Sequence, residues 1–191
     1  MSLVAYALTT VADIEEALEI TAGTKTSLIT NLINRATDLI ESYCDRRFIS
    51  TAYTNEVYDG TGAHTIVLKQ FPVTAISSLQ YRNAYFPEFT SNWTTIDSSY
   101  YDYKSSGIVY YTMKFSNSVL HYRISYTAGY TTIPNDLAQA CIELVSYFMA
   151  QTKDKGMQSE RLGDYSYTRA QTTLKNAGIL EIVDSYKRDA L

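Results

Sequence analysis

Arg123-Ile-Ser-Tyr-Thr-Ala-Gly-Tyr130, then Thr131-Thr-Ile-Pro-Asn-Asp136, then Leu137 to Ala150 read in quick succession as a strand, a glycine turn and a helix. Pro134 suits a first helical turn, where its missing N–H costs nothing and its fixed φ is already helical. Asn135 and Asp136 favour the positive end of the helix dipole. Leu137, Cys141, Leu144, Val145, Phe148 and Met149 recur at helical spacing, with Ala138 and Ala140 as small fillers. That stripe is as wide as a core-facing helix carries. At ~1.5–3 kcal/mol per fully buried large side chain it supplies a good part of a small domain's cohesion. No residue in it forms a catalytic pattern.

The natural partner of this helix is a second one over about Thr26 to Cys44. There Leu28, Ile29, Leu32, Ile33, Ala36, Leu39, Ile40, Tyr43 and Cys44 fall on one face, while Asn31, Arg35, Asp38 and Glu41 fall off it. Arg46-Arg47 ends it on the side its dipole prefers and reads as a solvated helix end. A shorter helix from Thr10 to Ile20 opens with Thr10 and Asp13 as a capping box, and Asp13, Glu15 and Glu16 sit in its first turns. Thr21-Ala-Gly-Thr24 breaks it.

Residues 51–130 change character. Tyr53 to Tyr58, Asp59-Gly-Thr-Gly62 and Thr65 to Lys69 read as a hairpin around a glycine-containing loop. Val73 to Arg82 is another β-rich run, and Asn83 to Asn92, with Pro87, is an exposed excursion. Tyr100 to Tyr103, Gly107 to Met113 and Val119 to Tyr126 give three short strands. In the last, Val119, His121, Arg123 and Ser125 alternate with Leu120, Tyr122, Ile124 and Tyr126, one face wet and the other apolar. After Gln151 the chain is polar, and it ends in an amphipathic helix over about Ala170 to Lys187, weakened by Gly178. That trailing end has no obvious place in the core, a profile of segments that order on a partner.

The fold class expected is α+β: a small helical bundle, with helices near 10–20, 26–44 and 134–151, an inserted antiparallel β region, and a C-terminal extension ending in a helix. The domains are 1–50 with 131–152, 51–130, and 153–191.

Composition narrows the function. A net charge of −4 argues against tight, sequence-blind nucleic-acid binding, which needs clustered Lys and Arg. Cys44 and Cys141 lie among apolar neighbours and read as two buried thiols; a zinc site needs more ligands than His64 and His121 add. No apolar run approaches the ~20 residues of a membrane span, and the first dozen residues lack a signal-peptide pattern. A chain made and kept in a reducing cytoplasm is the expectation.

Chemistry is sparse. His64 follows a glycine turn and has no nucleophile elbow to serve; His121 falls on the polar face of its strand. Gly60-x-Gly62 lacks the third glycine and the following helix of a dinucleotide loop. No catalytic residue, cofactor or metal is assigned. The chain holds 18 tyrosines, and a carbohydrate-binding module could use those of the short strands. Sugar platforms favour Trp, so cross-strand packing or contact with a neighbouring subunit is the stronger reading. A small hydrolase acting through His64 or His121 is the third possibility.

The order of these pieces resembles the head–tail connector (adaptor, or head-completion) proteins of tailed bacteriophages. The likeness lies in Leu32 to Phe48 after the first helix, Tyr58-Asp-Gly-Thr-Gly62, Phe71-Pro-Val-Thr74, Ile124 to Pro134 leading into Leu137-Ala-Gln-Ala140, Glu160-Arg-Leu-Gly-Asp-Tyr-Ser-Tyr167 and Tyr186-Lys-Arg188. Asn83–Asn92 departs from it. The resemblance implies a dodecameric ring beneath the portal at the virion neck, made in the host bacterial cytoplasm. The ring extends the DNA channel, passes duplex DNA without specific binding, and receives a head-closure (stopper) or tail-completion protein. It implies portal contacts from the trailing segment, with Arg161, Leu162, Asp164, Tyr165, Tyr167, Leu174, Ile182 and Tyr186 as candidates. Tyr101, Tyr103 and Tyr111 are the candidates for subunit or tail contacts.

Overall fold

The protein has an α+β fold, and its computed structural model describes residues 2–82, 92–154 and 173–188. The chain forms two units: Met1–Ile49 with Thr132–Leu191, and Ser50–Thr131.

In the first unit Thr10 caps α1 (Val11–Ala17). Its hydroxyl accepts from the Asp13 N–H while the Asp13 carboxylate accepts from the Thr10 N–H, completing the capping box. The helix is shorter than the spacing suggests. The Glu19 N–H donates to Glu16 O (3.2 Å) and the Ile20 N–H to Glu15 O (2.8 Å), so a tight C-terminal turn closes around Glu19 at φ 52°. Asp13 alone lies in the first turn; Glu15 and Glu16 fall at the opposite end of the helix, where the dipole is negative.

Helix α2 (Thr26–Cys44) follows the apolar spacing and buries Ile29, Leu32, Ile33, Ala36, Ile40, Tyr43 and Cys44. Asp45, left-handed at φ 51°, stops it. Helix α3 (Asn135–Asp154) lies against it and buries Leu137, Cys141, Leu144, Val145 and Phe148. Thr37 is hydrogen-bonded to the Cys141 thiol, and the Arg35 guanidinium sits 4.2 Å over the Phe148 ring. The trailing helix is divided: a helical turn at residues 173–176, left-handed Gly178 (φ 79°), then α4 (Leu180–Asp184). The expectation that this end lacks a place in the core is overturned for the described part, since Leu174, Ile179 and Val183 are all at 0% exposure.

The second unit holds a four-stranded sheet in the order β1 (Thr51–Tyr58), β7 (Tyr122–Ala128), β3 (Val73–Arg82), β4 (Trp93–Ile96) and a three-stranded sheet in the order β2 (Thr65–Val67), β6 (Ile108–Tyr111), β5 (Tyr101–Tyr103). Every pairing is antiparallel. Leu79, Ile124 and Tyr126 of one sheet and Ile66 and Val109 of the other belong to one core cluster, with Phe115.

The hairpin expected between Tyr53–Tyr58 and Thr65–Lys69 does not form: β1 pairs with β7, and β2 with β6. The intervening loop is tied elsewhere. The Gly60 N–H donates to Ser118 O (2.7 Å) and Asp59 Oδ1 accepts from the Leu120 N–H (2.6 Å), which carries the chain from one sheet to the other. Val119 and Leu120 precede β7 and are exposed, whereas His121, expected on a wet face, is 3% exposed. The excursion expected over Asn83–Asn92 lies outside the described residues except for Asn92.

Candidate functional site

The small sheet gathers the tyrosines that the sequence marks as contact candidates. Tyr101 and Tyr111 face each other across β5 and β6, and with Tyr103 they are half-buried against the core of the unit. The Tyr103 hydroxyl donates to Thr74 O (3.1 Å), and the Tyr111 ring lies 5.2 Å from Phe115. Burial pushes the Tyr101 and Tyr111 phenols up. These side chains are anchored inside and leave their outer flanks to solvent, where Tyr100 and Met113 are exposed. Trp93, the chain's one tryptophan, lies on the other sheet, so it does not complete a sugar platform here.

A second group lies within the large sheet. The pairing of β1 with β7 shifts between Tyr53 and Glu56, with Asn55 at φ 55°, and the extra residue turns Glu56 inward beside Tyr58. Its carboxylate accepts from the hydroxyls of both Tyr58 and Tyr126, the latter at 2.6 Å. Those phenol oxygens accept in turn from the N–H groups of Lys69 (3.2 Å) and Gln70 (3.3 Å). Burial first, then the Glu56 hydrogen bond, pushes both phenols far up, so they remain protonated donors. The network ties strand to loop and leaves no phenolate to act as a nucleophile or base.

A third arrangement has no counterpart in the sequence reading. Register sets Gln80 opposite Arg123 and Thr95, and Arg82 opposite Trp93. The guanidinium carbons of Arg82 and Arg123 each lie 4.6 Å from the Trp93 ring centroid. Arg123 donates through Nε to Gln80, whose amide donates to the Thr95 hydroxyl at 2.9 Å. Two cations therefore stack on one indole at the partly exposed outer face of the sheet. The signal was present as Arg82, Trp93 and Arg123, but only the register brings them together.

In the helical unit the residues around the end of α2 are engaged rather than solvated. Arg47 pairs with Glu41 (2.6 Å) and stacks 3.7 Å over the Tyr6 ring. Burial raises the Glu41 pKa, with the Phe48 N–H and Arg47 opposing it. Arg46 is buried, 4.8 Å over the Phe48 ring, and donates to Tyr186 O at 3.2 Å. Asp45 reverses the chain after α2 and folds both arginines back, which corrects the expectation of a solvated end.

Of the portal candidates, Arg161, Leu162, Asp164, Tyr165 and Tyr167 lie outside the described residues. Leu174 is consumed by the core of its own unit, and Ile182 and Tyr186 are half-buried.

His64 is exposed with Nδ1 3.1 Å from Tyr111 O. His121 packs between the rings of Tyr81 and Tyr122, and burial, then the Arg82 charge, lowers its pKa. Cys44 and Cys141 are free and buried, both pushed up to about 12 by burial. Among the described residues no three His, Cys, Asp or Glu are grouped to hold a metal ion, and no helix is long and apolar enough to cross a membrane.

A family model described as "Head completion protein" matches residues 7–189. Among solved structures, the chain is similar to a chain in the neck of an empty GTA (gene transfer agent) particle computed with C6 symmetry, at 14% identity and TM-score 0.66, covering 100% of this chain and 96% of that one. It is similar also to one in the neck of the native GTA particle computed with C12 symmetry, at 13% identity and TM-score 0.56, covering 100% and 96%. A third likeness is to a chain of the native GTA virion, at 14% identity and TM-score 0.58, covering 100% and 95%. At these identities the likeness establishes the fold. A search of the curated proteins finds no match.

Proposed function

The chain belongs to the head completion protein family, and from that premise we propose that it is a structural subunit of a virion neck. Copies close into a dodecameric ring, a reading supported by the C12 symmetry of a neck that holds a chain of the same fold; the ring joins the portal to a head-closure or tail-completion protein and extends the DNA channel. The observation that carries the reading is the extent of the family match, residues 7–189, which takes in both units and the trailing segment.

The physical chemistry supports it. A closed ring of one chain sets one face of each subunit against a different face of the next. A conduit must let duplex DNA slide, and a subunit with net charge −4 gives little counterion-release binding. The role asks for no catalysis and no cofactor. Tyr101, Tyr103 and Tyr111 offer their outer flanks to a neighbouring subunit or tail component. Arg161, Leu162, Asp164, Tyr165 and Tyr167, with Ile182 and Tyr186, remain the candidates for the portal; Leu174 is withdrawn because it is buried.

The test is assembly in the absence of this chain. Particles made without it should show DNA-filled or emptied heads separate from finished tails, restored by supplying the chain. Complete, infective particles made without it would overturn the proposal.

A further inference from the structure

The residues ahead of α1 lie along α2 as an arm, and side chains of α2 hold that arm largely by its backbone. The buried Asn34 amide spends both of its groups there: Oδ1 accepts from the Val4 N–H (3.1 Å) and Nδ2 donates to Ser2 O (3.0 Å). One turn further along α2, Thr37 Oγ1 accepts from the Leu8 N–H (3.3 Å) and Asp38 Oδ1 accepts from the Tyr6 hydroxyl (3.1 Å). The Arg47 guanidinium, paired with Glu41, covers the Tyr6 ring at 3.7 Å. Ser2, Val4, Tyr6 and Leu8 each meet a partner in this way, in an irregular segment with one turn, Ala7 N–H to Val4 O at 3.2 Å.

Together these side chains form a binding site for a short peptide, and the arm shows what the site accepts. Three of the four hydrogen bonds engage main-chain atoms of the arm, so the same arm from any copy satisfies them equally. Only the base of the arm is packed in: Leu8 and Thr9 are buried, whereas Ser2 to Ala7 are half-buried or exposed. A segment held by few buried apolar contacts opens at low cost. Trading arms between two copies keeps every one of these contacts, and it gains a covalent tether from each copy to the next.

We infer that in the assembled ring the arm, residues 2–7, seats on α2 of the neighbouring copy at Asn34, Asp38 and Arg47. The inference rests on the ring reading above: each copy gives one arm and receives another, a contact between different surfaces that propagates around a closed ring. Six extended residues span roughly 20 Å, so the α2 site of one copy lies within that reach of Leu8 in the next. Tethered side by side, the arms are present at a local concentration on the order of millimolar, which lets the neighbour's arm compete for the site.

Photocross-linking tests it in the full chain, with p-azidophenylalanine in place of Tyr6. Rings are assembled, with and without virion necks, from an equal mixture of heavy-nitrogen and natural chains. Cross-linked peptides joining the arm to α2 should carry mixed isotopes in about half of cases, as random neighbours in a ring demand. The unassembled chain should give unmixed pairs alone. Unmixed pairs alone within rings, or cross-links to another protein in place of α2, would overturn the inference while leaving the ring reading intact. A wild-type chain that forms no ring under either condition would overturn both. Two unlabelled variants keep the test sound if the azide disturbs the arm: Asn34→Ala, and deletion of residues 2–6 ahead of the buried Leu8. Each should keep the far-UV CD of the wild type and lower ring yield, counted by negative-stain imaging, about fivefold or more, since the tether between copies is lost. Wild-type ring yield in both would overturn the inference.

Discussion

The Tyr186 hydroxyl donates to Asp136 Oδ1 across 2.6 Å, joining the end of the trailing segment to the first turn of α3. The same segment is held by the Tyr43 hydroxyl on Asp184 (2.7 Å), by the Cys44 thiol on Val183 O (3.5 Å) and by Lys187 3.8 Å over the Tyr43 ring. Residues 173–188 are thus part of the subunit's own fold.

Leu174→Ala should therefore cost ~2–5 kcal/mol of stability, as an emptied core position does. Tyr186→Phe should cost about 1 kcal/mol. Chemical denaturation followed by far-UV CD measures both. A Leu174→Ala variant as stable as the wild type would show that the segment is not integral.

Gly60→Ala should destabilise the β unit by ~1–3 kcal/mol, since its Cβ would fall 1.7 Å from Ser116 O, a backbone atom that cannot swing aside. Trp93 reports this unit by fluorescence during urea titration. An unchanged midpoint would contradict the close approach that carries the chain between the sheets.

His121 makes the β unit sensitive to acid. Its folded-state pKa lies below the ordinary 6.5, so the unfolded chain binds a proton that the fold resists. Its contribution is present above that value and is lost as pH falls through it. Urea midpoints by Trp93 fluorescence should decline between about pH 7.5 and about pH 5.5, and decline less in His121→Gln. Equal slopes in the two proteins would refute the assignment.

The thiols of Cys44 and Cys141, both pushed up to about 12, should resist alkylation at neutral pH in the folded chain and react fully in denaturant. Rapid native labelling of either would contradict its burial.

The helices were legible because periodicity is local. The apolar spacing from Ile29 to Cys44 and from Leu137 to Met149 describes faces that are buried in the structure. Strand partners were not legible: Gly60 and Gly62 look like a hairpin turn, yet the loop answers to Ser118 and Leu120, far along the chain. Four-residue β4 is too short for alternation to show. The Arg82–Trp93–Arg123 stack and the inward Glu56 depend on register and on a bulge, which composition does not encode. Arg46 reads as a solvated cation until Asp45 reverses the chain and buries it.

The central claim is that copies of this chain form a ring in a virion neck. Electron-microscopic class averages of necks from particles carrying a labelled version of the chain address it directly. The account predicts label arranged with rotational symmetry around the channel, between portal and tail. Particles whose necks hold no copy of the chain, or a single asymmetric copy, would contradict it.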